Sequence, residues 1–401
     1  MNILFIHQNF PGQFKHLAAH LAKNKQNRVI ALRCNKGSYI ENVETYEYPI
    51  LSDASVSINP LLGDIESKVR RAESLVDKAK QCDSLGFRPD VVIIHPSWGE
   101  GLFLRDLWPK VKIIAYLEYY YRYEGQDVNF DPEFPSANKN DRYRLRLKNF
   151  TNLYSLDEAD LFITPTKWQL KQFPKWTQKK INVIHDGIDT ESCCANSDAS
   201  ITLTKANKVL TKKDKVITYV SRGLEPIRGF HIFMRSLPLI LQECPDVHVL
   251  IVGGDVPAYG VQSEQYSSFK EQLLNELNEK LDPKQVHFLG RLSYKNYQNL
   301  LQISSAHIYL TYPFITSWSL LEAMSIECPI VASNTGPVTE FIQHNKNGLL
   351  VDFFNHEQLS EAVIKLLNNL ALGTKLGKQA RKMILDKYNL KLCLSKQLKL
   401  I

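Results

Sequence analysis

The sequence predicts an α/β protein with two doubly wound domains in tandem. Short apolar runs alternate with segments of helical spacing along most of the 401 residues. These runs are continuous rather than alternating, which is typical of parallel strands covered by helices on both faces. The pattern stops over the polar stretch 191–213 and then starts again. At roughly 150 residues per domain, a chain of this length accommodates two such domains.

The first half of the chain contains two segments of clear helical spacing. Apolar residues at positions 14, 17, 18 and 21 predict one helix, and those from position 65 to position 82 predict a longer one. Apolar runs predict strands at 3–6, 91–94, 113–116, 161–164 and 183–184. We assign residues 1–190 to an N-terminal Rossmann-like domain, because strands and helices alternate throughout them.

The second half repeats the same alternation. Helices are predicted at 229–241, 269–281 and 359–370. Predicted strands lie at 216–220, 248–252, 286–288, 307–310, 330–332 and 349–351. We assign residues 191–375 to a C-terminal Rossmann-like domain. The remaining segment, 376–401, is expected to be helical and to pack back on the N-terminal domain.

Composition excludes several classes of protein. Hydrophobic residues make up 44% and charged residues 23% of the chain, which excludes a disordered protein. No apolar run approaches the roughly 20 residues of a membrane-spanning helix. Residues 3–6 follow no basic segment, so they predict a strand rather than a signal peptide. The net charge of +7 includes no block of five like charges, so no nucleic-acid partner is expected.

The cysteines predict a reducing compartment. Their number, seven, is odd, and no Cys-x-x-Cys pair occurs. We therefore expect a cytoplasmic protein. One basic stretch is a candidate for peripheral contact with anionic lipid at the inner membrane face, the alternative being an ordinary solvated surface. Its cations are Lys139, Arg142, Arg144, Arg146 and Lys148.

The loop after the first strand of the second domain predicts an anion site. Arg222 and Arg228 lie six residues apart, between that strand and the next helix. Guanidinium groups bind phosphate oxygens in pairs of hydrogen bonds, and a helix N-terminus adds backbone donors. In doubly wound sheets, ligands bind at the carboxyl ends of strands. The loop therefore suits a diphosphate, and two exposed surface arginines are the alternative.

A second loop, at 312–324, follows the strand predicted at 307–310. Ser317 and Ser319 stand at a predicted helix entry, so we expect backbone N–H groups there to be free for a ligand. Glu322 can accept hydrogen bonds from two hydroxyls, as a ribose diol requires. The alternative is a capping box, because Ser319 and Glu322 also have the spacing of that motif.

Together these segments resemble the donor site of the family-4 retaining glycosyltransferases, which have the GT-B fold of two Rossmann-like domains facing across a cleft. Residues 183–189 are similar to the family's Val-Ile-Pro-Asn-Gly-Val-Asp stretch, and residues 159–166 to its Ala-Asp-x-Ile-x-x-x-Ser. Residues 336–340 are similar to its Gly-Gly-x-x-Glu. The resemblance covers nearly the whole chain. Residues 7–14 and 317–322 resemble one bacterial subgroup.

The resemblance implies a donor site in which Arg222 and Arg228 hold the diphosphate and Glu322 the ribose. The implied donor-binding residues are Gly12, Arg222, Arg228, Gly290, Arg291, Thr316, Ser317, Trp318, Ser319 and Glu322. The co-substrate is a nucleotide diphosphate sugar such as a UDP- or GDP-sugar, with no cofactor. No metal is expected, because the arginines take the place of Mg²⁺. Phe314 departs from the family, which has a glutamate there that contacts the donor sugar.

The first domain is expected to bind the acceptor, a glycan or a lipid-linked molecule. Gly12 allows close approach of the backbone, unless it is a simple turn glycine. The resemblance places a cleft histidine near His95, although a lone histidine is often structural. Aromatic rings and carboxylates suit sugars, and loop packing is the alternative. The expected acceptor-binding residues are Trp98, Glu118, Tyr119 and Tyr120, and the expected catalytic residues are His95, Glu118, Arg222 and Arg228.

The implied function is transfer of a sugar to an acceptor hydroxyl with retention, in glycan, polysaccharide or glycolipid synthesis. A non-catalytic nucleotide-binding or partner subunit is the main alternative, and Phe314 motivates it. An oxidoreductase would require Gly-x-Gly-x-x-Gly after the first strand, which is lacking. A nucleotide-sugar epimerase of similar fold has no support in the motifs. His16 and His20 lack the further ligands of a zinc site.

Overall fold

The computed structural model describes residues 1–50, 59–136, 140–204, 207–259, 263 and 265–401. The chain divides into two compact units. The first unit comprises Met1–Val128, Ser136–Gly187 and Leu390–Ile401. The second comprises Asn129–Pro135 and Ile188–Asn389. Lys139, in the basic stretch, lies outside the described residues.

The first unit is a parallel sheet of seven strands with helices on both faces. Its strands are β1 (Asn2–Ile6), β2 (Arg28–Arg33), β3 (Val43–Glu47), β4 (Val91–Ile94), β5 (Lys112–Tyr116), β6 (Leu161–Thr164) and β7 (Ile181–Val183). They lie in the order β3-β2-β1-β4-β5-β6-β7. Its first helices are α1 (Lys15–Ala22), α2 (Gly63–Ser84), α3 (Leu104–Leu107), α4 (Asp141–Lys148), α5 (Phe150–Glu158), α6 (Lys167–Gln172) and α7 (Lys175–Gln178).

The second unit has a six-stranded parallel sheet and a small antiparallel hairpin. The hairpin is β8 (Ser200–Leu203) with β9 (Lys208–Thr211). The sheet strands are β10 (Val216–Gly223), β11 (His248–Gly254), β12 (Val286–Gly290), β13 (Ala306–Tyr309), β14 (Ile330–Ser333) and β15 (Leu349–Val351), in the order β12-β11-β10-β13-β14-β15. The helices are α8 (Phe230–Glu243), α9 (Phe269–Leu277), α10 (Tyr294–Ile303), α11 (Trp318–Ser325), α12 (His356–Leu367) and α13 (Leu370–Met383), before a π-helical turn at Ile384–Tyr388. The last helix, α14 (Leu390–Leu398), belongs to the first unit.

The central strands are apolar on both faces because both faces are covered. Leu4 and Ile6 of β1 belong to one core cluster of the first unit, whereas Ile3 and Phe5 belong to another. All four side chains are buried. Each such side chain contributes roughly 1.5–3 kcal/mol when it leaves water. The predicted α/β class with two doubly wound domains is therefore confirmed.

The predicted domain limits differ from the structure in three places. The change of unit falls after Gly187, whereas the prediction put it after residue 190. Asn129–Pro135 belongs to the second unit, although it is flanked in sequence by the first. Only Leu390–Ile401, and not the whole of 376–401, belongs to the first unit. Residues 376–389 complete α13 and the π-helical turn, whose buried Leu376, Ala380 and Ile384 hold them in the second unit.

Some elements were not predicted or were displaced. β2 and the hairpin β8–β9 were missed, the latter because the polar stretch 191–213 shows no apolar period. β3 was missed because it is an edge strand that mixes buried and exposed residues. β7 lies at Ile181–Val183 rather than 183–184, and α9 ends at Leu277 rather than at residue 281.

The strand order reverses direction at one point in each sheet. β1 lies between β2 and β4, and β10 lies between β11 and β13. Loops that leave neighbouring strands in opposite directions open a crevice at such a point, where doubly wound folds bind ligands. The segments after β1 and β4 contain Gly12 and His95, and those after β10 and β13 contain Arg228 and Ser317. Among the described residues, no helix is both long and apolar enough to span a bilayer.

Candidate functional site

The turn between β10 and α8 fixes the position of Arg228. A 3₁₀ turn at Pro226–Arg228 ends at Gly229, whose φ is +67°. A Cβ at Gly229 would lie 2.4 Å from the Cβ of Leu310. Glycine is therefore required both for the left-handed backbone and for the close approach to the residue after β13.

Arg228 is buried and held in one orientation. Its Nη1 donates hydrogen bonds to the Thr311 hydroxyl at 2.8 Å and to the Ile315 carbonyl at 3.0 Å. Its Cζ lies 5.2 Å from the ring centre of Tyr259 and 5.4 Å from that of Phe314. Neutral oxygens and aromatic faces surround the guanidinium, so its positive charge is stabilised without being neutralised.

Arg222 is exposed at the end of β10, and its Cζ lies 5.9 Å from the same Tyr259 ring. Within the described part of the chain, neither Arg222 nor Arg228 forms an ion pair with a carboxylate. Two guanidinium groups therefore converge on one aromatic ring with their charges uncompensated. Such a pair is suited to an anion with several oxygens.

A cavity of about 80 Å³ opens beside these arginines. It is lined by Tyr219, Val220, Ser221, Arg222, Arg228, Tyr259, Ile308, Tyr309, Leu310, Ser317 and Ser319. Four of the predicted donor residues therefore share one space. No pattern in the sequence indicates Tyr259 as a site residue, because it lies in a loop beyond β11 without any apolar period.

Glu225 explains how Tyr259 reaches this cavity. Its carboxylate is buried and accepts hydrogen bonds from the backbone N–H groups of Ala258 at 3.0 Å and Tyr259 at 3.1 Å. The loop is thereby tied to the turn that carries Arg228. Glu225 lies between the two arginines in sequence, which is a signal that could have indicated it. Its hydrogen-bond partners could not be predicted from the sequence.

The expectation of free backbone donors at Ser317 and Ser319 is wrong. The Ser317 N–H donates to the Tyr309 hydroxyl at 2.7 Å, and the Ser319 N–H donates to Ser317 Oγ at 3.2 Å. Ser317 is the N-cap of α11 and uses its hydroxyl to satisfy the first turn. What these residues offer to the cavity is their hydroxyl groups.

Glu322 does not form the alternative capping box, because Ser319 lies inside α11. Its carboxylate oxygens accept hydrogen bonds from the hydroxyls of Tyr294 at 2.8 Å and Tyr297 at 2.7 Å, both on α10. Burial, and then the nearby carboxylate, raises the pKa of each tyrosine. Glu322 is only partly buried, and its ribose-binding role stays a prediction.

The other predicted donor residues lie outside the cavity lining. Thr316 and Trp318 are partly buried beside it. Gly290 has a φ of +64° with open space where a Cβ would stand, and Arg291 is exposed. The Arg291 Nε lies 3.5 Å from where a Cβ on Gly254 would be, which places it at the end of β11.

Phe314 is buried against Tyr259, with ring centres 5.3 Å apart. The departure from the family therefore places an aromatic ring, rather than a carboxylate, beside Arg228. The guanidinium of Arg228 consequently keeps its positive charge free of a neighbouring anion at this position.

In the first unit, the loops after β1, β4 and β5 bring His7, Gln13, His95 and Glu118 together. His95 is buried, and its Nε2 lies 3.2 Å from Glu118 Oε2. The ring of the predicted acceptor residue Trp98 stacks on that of His95 at 4.3 Å. Burial opposes ionisation of Glu118, but hydrogen bonds from His95 and Gln13 outweigh it and lower its pKa. Glu118 is 21% exposed and is the charged, accessible group of this cluster.

Gly12 leaves room for the His7 ring in this cluster, and its donor-binding role stays a prediction. Its φ is +45°, and a Cβ on it would lie 2.5 Å from His7 Nε2. His7 and Gln13 were not predicted as site residues. His7 precedes the helix α1 as a lone histidine, and nothing in the spacing indicates that its ring meets residues after β4 and β5.

The tyrosines after Glu118 pack within the loop. Tyr119 is buried and donates a hydrogen bond from its hydroxyl to Asp127 Oδ1 at 2.9 Å. Tyr120 packs on Phe173, with ring centres 5.3 Å apart. Loop packing, the alternative weighed for these residues, therefore describes the Tyr119 side chain, which presents no free face to an acceptor.

Among the described residues, the acidic and histidine side chains that lie close enough together to hold a metal ion are Asp131, Glu133 and His231. The two Glu133 oxygens accept hydrogen bonds from the Arg235 guanidinium at 2.6 and 2.7 Å. Asp131 accepts another from Tyr312 at 2.7 Å. Because a bidentate arginine already neutralises Glu133, this group is an internal ion-pair network.

The basic stretch is partly neutralised. Arg142 pairs with Glu124 at 2.8 Å and Arg144 with Asp141 at 2.7 Å. The Lys148 ammonium lies 4.2 Å from the ring centre of Tyr121. These contacts favour a solvated surface over a dedicated lipid-binding face.

Comparison with known proteins identifies two matching family models. The model "Glycosyl transferase family 4 group" matches residues 25–193, and "Glycosyl transferases group 1" matches residues 201–383. Together they cover most of the chain, with the change from one to the other close to the change of unit.

Relatives and solved structures agree with these models. Spore coat protein SA of Bacillus subtilis is 30% identical over 182 residues, which are 42% of this chain and 43% of that relative. Sucrose-phosphate synthase from Thermosynechococcus elongatus superposes with a TM-score of 0.72 at 16% identity, covering 100% of this chain and 98% of that one. Anabaena Alr3699/HepE in complex with UDP gives 0.68 at 15% identity, covering 100% and 99%.

Proposed function

Because the chain belongs to the family-4 glycosyltransferases and has their GT-B fold, we propose that it transfers a sugar from a nucleotide diphosphate sugar to an acceptor hydroxyl with retention of configuration. The observation that carries the proposal is the pair of uncompensated guanidinium groups, Arg222 and Arg228, that border one cavity at the switch point of the second sheet. The pathway is glycan, polysaccharide or glycolipid synthesis.

The second unit stabilises the leaving group. As the bond from the anomeric carbon to the diphosphate oxygen breaks, negative charge grows on the diphosphate. Arg228 is already held by Thr311 and Ile315, so it needs little reorganisation to meet that charge. Arg222 and the Ser317 hydroxyl supply further donors around the same cavity, and the Ser319 hydroxyl donates to Ser317 Oγ at 3.0 Å. These protein groups supply the positive charge that stabilises the leaving diphosphate.

The first unit holds the acceptor at Glu118. The ionised carboxylate accepts a hydrogen bond from an acceptor hydroxyl other than the reacting one, with His95 on its other oxygen. As the acceptor oxygen forms its bond to the anomeric carbon, its proton passes to the departing diphosphate oxygen. This front-face route requires no nucleophilic carboxylate, so Phe314 does not prevent it.

Thermal unfolding with UDP, GDP and ADP is the most direct way to identify the nucleobase of the donor. The solved structure of Alr3699/HepE contains UDP, which makes UDP the first candidate. A ligand at 100 times its dissociation constant adds about 2.7 kcal/mol to the folded state. The preferred nucleotide should therefore raise the melting temperature clearly above the other two.

Turnover of the donor tests the proposed role of the arginines. Arg222→Ala should lower kcat by roughly 10²–10³, as removal of one preorganised donor does elsewhere. Arg88→Ala, which removes an exposed arginine of the first unit, is the matched control and should leave kcat unchanged. Near-normal turnover by Arg222→Ala would refute the assignment.

A non-catalytic nucleotide-binding subunit is the second candidate, and Phe314 favours it because the family carboxylate is missing there. This candidate predicts a nucleotide-dependent thermal shift without any release of nucleoside diphosphate from a nucleotide sugar. Donor hydrolysis or transfer by the isolated chain would exclude it.

A further inference from the structure

The segment from His7 to Phe14 has no role in the function proposed so far beyond the space made by Gly12. Two of its side chains nevertheless join the cluster around Glu118. His7 Nε2 lies 2.7 Å from Gln13 Oε1, and Gln13 Nε2 lies 2.5 Å from Glu118 Oε1. Glu118 Oε2 in turn lies 3.2 Å from His95 Nε2. A continuous chain of contacts thus runs from β1 to the carboxylate after β5.

The direction of these hydrogen bonds is fixed from the His7 end. The Asn9 backbone N–H donates to His7 Nδ1 at 2.9 Å, so Nδ1 carries no proton. The proton of a neutral His7 is therefore on Nε2, which donates to Gln13 Oε1. Burial, and then His95, lowers the pKa of His7 to about 3, which keeps the ring neutral at ordinary pH.

The amide of Gln13 then has only one favourable orientation. Its oxygen accepts from His7, so its NH₂ group faces Glu118, an acceptor when ionised. A flipped amide would place its oxygen against the carboxylate and its NH₂ group against the N–H of His7. Both contacts would then be repulsive, because one would place two acceptors together and the other two donors.

We propose that Gln13 is a positioning residue that holds Glu118 ionised and correctly oriented, and that His7 selects the amide orientation in which it can do so. The inference deepens the proposed function and rests on the role given there to Glu118. It assigns His7 and Gln13 to the acceptor side of the reaction, and it gives Gly12 the task of leaving room for the His7 ring.

The titratable groups that surround Glu118 are few. His7 approaches from the end of β1 and His95 from the loop after β4. Tyr116 of β5 lies behind His95, with ring centres 5.7 Å apart, and its hydroxyl donates to Asp186 at 2.8 Å. Among the described residues, the Glu118 carboxylate accepts hydrogen bonds from Gln13 and His95, and Gln169 donates to its backbone carbonyl. Removal of the Gln13 amide should therefore raise the pKa of Glu118, since hydrogen bonds to the charged form favour ionisation.

The test is infrared difference spectroscopy of the full chain, with Glu118→Gln used to identify the Glu118 signal. In the wild-type background, the difference between the chain and its Glu118→Gln counterpart reports the pH at which this carboxyl becomes protonated. The same difference in a Gln13→Leu background should show protonation at higher pH. Gln26→Leu, an exposed glutamine of the same unit, is the matched control and should leave the signal where it is in the wild type. Protonation of Glu118 at the wild-type pH in the Gln13→Leu background would overturn the proposal.

Release of UDP from UDP-glucose, or of GDP from GDP-mannose if thermal unfolding selects GDP, provides the second readout. Gln13→Leu should lower kcat by about 10- to 100-fold, the range expected for one lost hydrogen bond to a charged group, while KM for the donor stays near the wild-type value. No release of nucleoside diphosphate by the wild-type chain would contradict the proposed function itself, and full activity in Glu118→Gln would contradict the role given to Glu118. Loss of activity in Glu118→Gln with full activity in Gln13→Leu would contradict the positioning role alone.

Discussion

Arg222 and Arg228 carry the same charge but differ in burial and in their contacts. Arg228 is 7% exposed and satisfies the Thr311 hydroxyl and the Ile315 carbonyl, so it is part of the structure as well as of the cavity. Arg222 is exposed, and its Cζ lies 5.9 Å from the centre of the Tyr259 ring. A charge that is both buried and fixed suits preorganised stabilisation, whereas an exposed one can meet the ligand as it enters.

This difference predicts different stabilities for the two alanine variants. Arg228→Ala should lower the free energy of unfolding by about 1–3 kcal/mol, because it leaves the buried Thr311 hydroxyl and the partly buried Ile315 carbonyl without this donor. Arg222→Ala should stay within about 0.5 kcal/mol of the wild type. Urea unfolding of both variants measures this, and equal stabilities would contradict the assigned contacts.

Buried histidines make the protein sensitive to acid. Burial lowers the pKa of His307 to about 4 and that of His185 to about 4, compared with an ordinary value of 6.5. Between these values the unfolded chain binds more protons than the folded one. Their contribution to stability is therefore complete above pH 6.5 and is lost as the pH falls towards 4.

His307→Leu should make this loss of stability shallower. One histidine changes the slope of the unfolding free energy by at most about 1.4 kcal/mol per pH unit. Urea unfolding at a series of pH values from 7 to 4 measures the slope. His20→Leu, at an exposed position on α1, should keep the wild-type slope, and the same slope in His307→Leu would show that this histidine is not the cause.

At the scale of elements, the turn between β10 and α8 is the most constrained part of the candidate donor site. Gly229 and Gly290 have nearly the same φ, +67° and +64°, but only Gly229 lies against another residue. Substitutions at the two positions therefore distinguish the cost of a left-handed backbone from the cost of a steric clash.

Gly290→Ala should cost about 1 kcal/mol, from the left-handed backbone alone. Gly229→Ala should cost clearly more, because its Cβ would also lie 2.4 Å from the Cβ of Leu310. It should also weaken nucleotide-dependent stabilisation, since Leu310 borders the cavity. Thermal unfolding with and without UDP measures both effects, and equal losses in the two variants would contradict the packing described for this turn.

The elements that could be predicted are those whose signal is local. Strands such as β4 and β15 are short apolar runs, and the loop with Arg222 and Arg228 follows a strand directly. Tyr259 and Gln13 could not be predicted, because each acts on residues that only the folded sheet brings near. The amides of Ser317 and Ser319 were misjudged because the Tyr309 hydroxyl, eight residues upstream of Ser317, reaches the helix entry first.

At the scale of the whole molecule, each unit has its own parallel sheet, its own core and its own switch point. The candidate donor residues that meet in a cavity belong to the second unit, and the His7–Gln13–Glu118–His95 chain belongs to the first. The division of the chain into two such units was predicted from the tandem alternation of strands and helices. The boundaries were less accurate, because Asn129–Pro135 and Leu390–Ile401 each belong to a unit other than that of their neighbours in sequence.

The most direct test is a crystal structure of the protein with UDP, or with GDP if thermal unfolding selects it. The diphosphate oxygens should lie within hydrogen-bond distance of the guanidinium groups of Arg222 and Arg228, beside the ring of Tyr259. A nucleotide bound elsewhere, or a diphosphate that contacts neither guanidinium, would contradict the central claim.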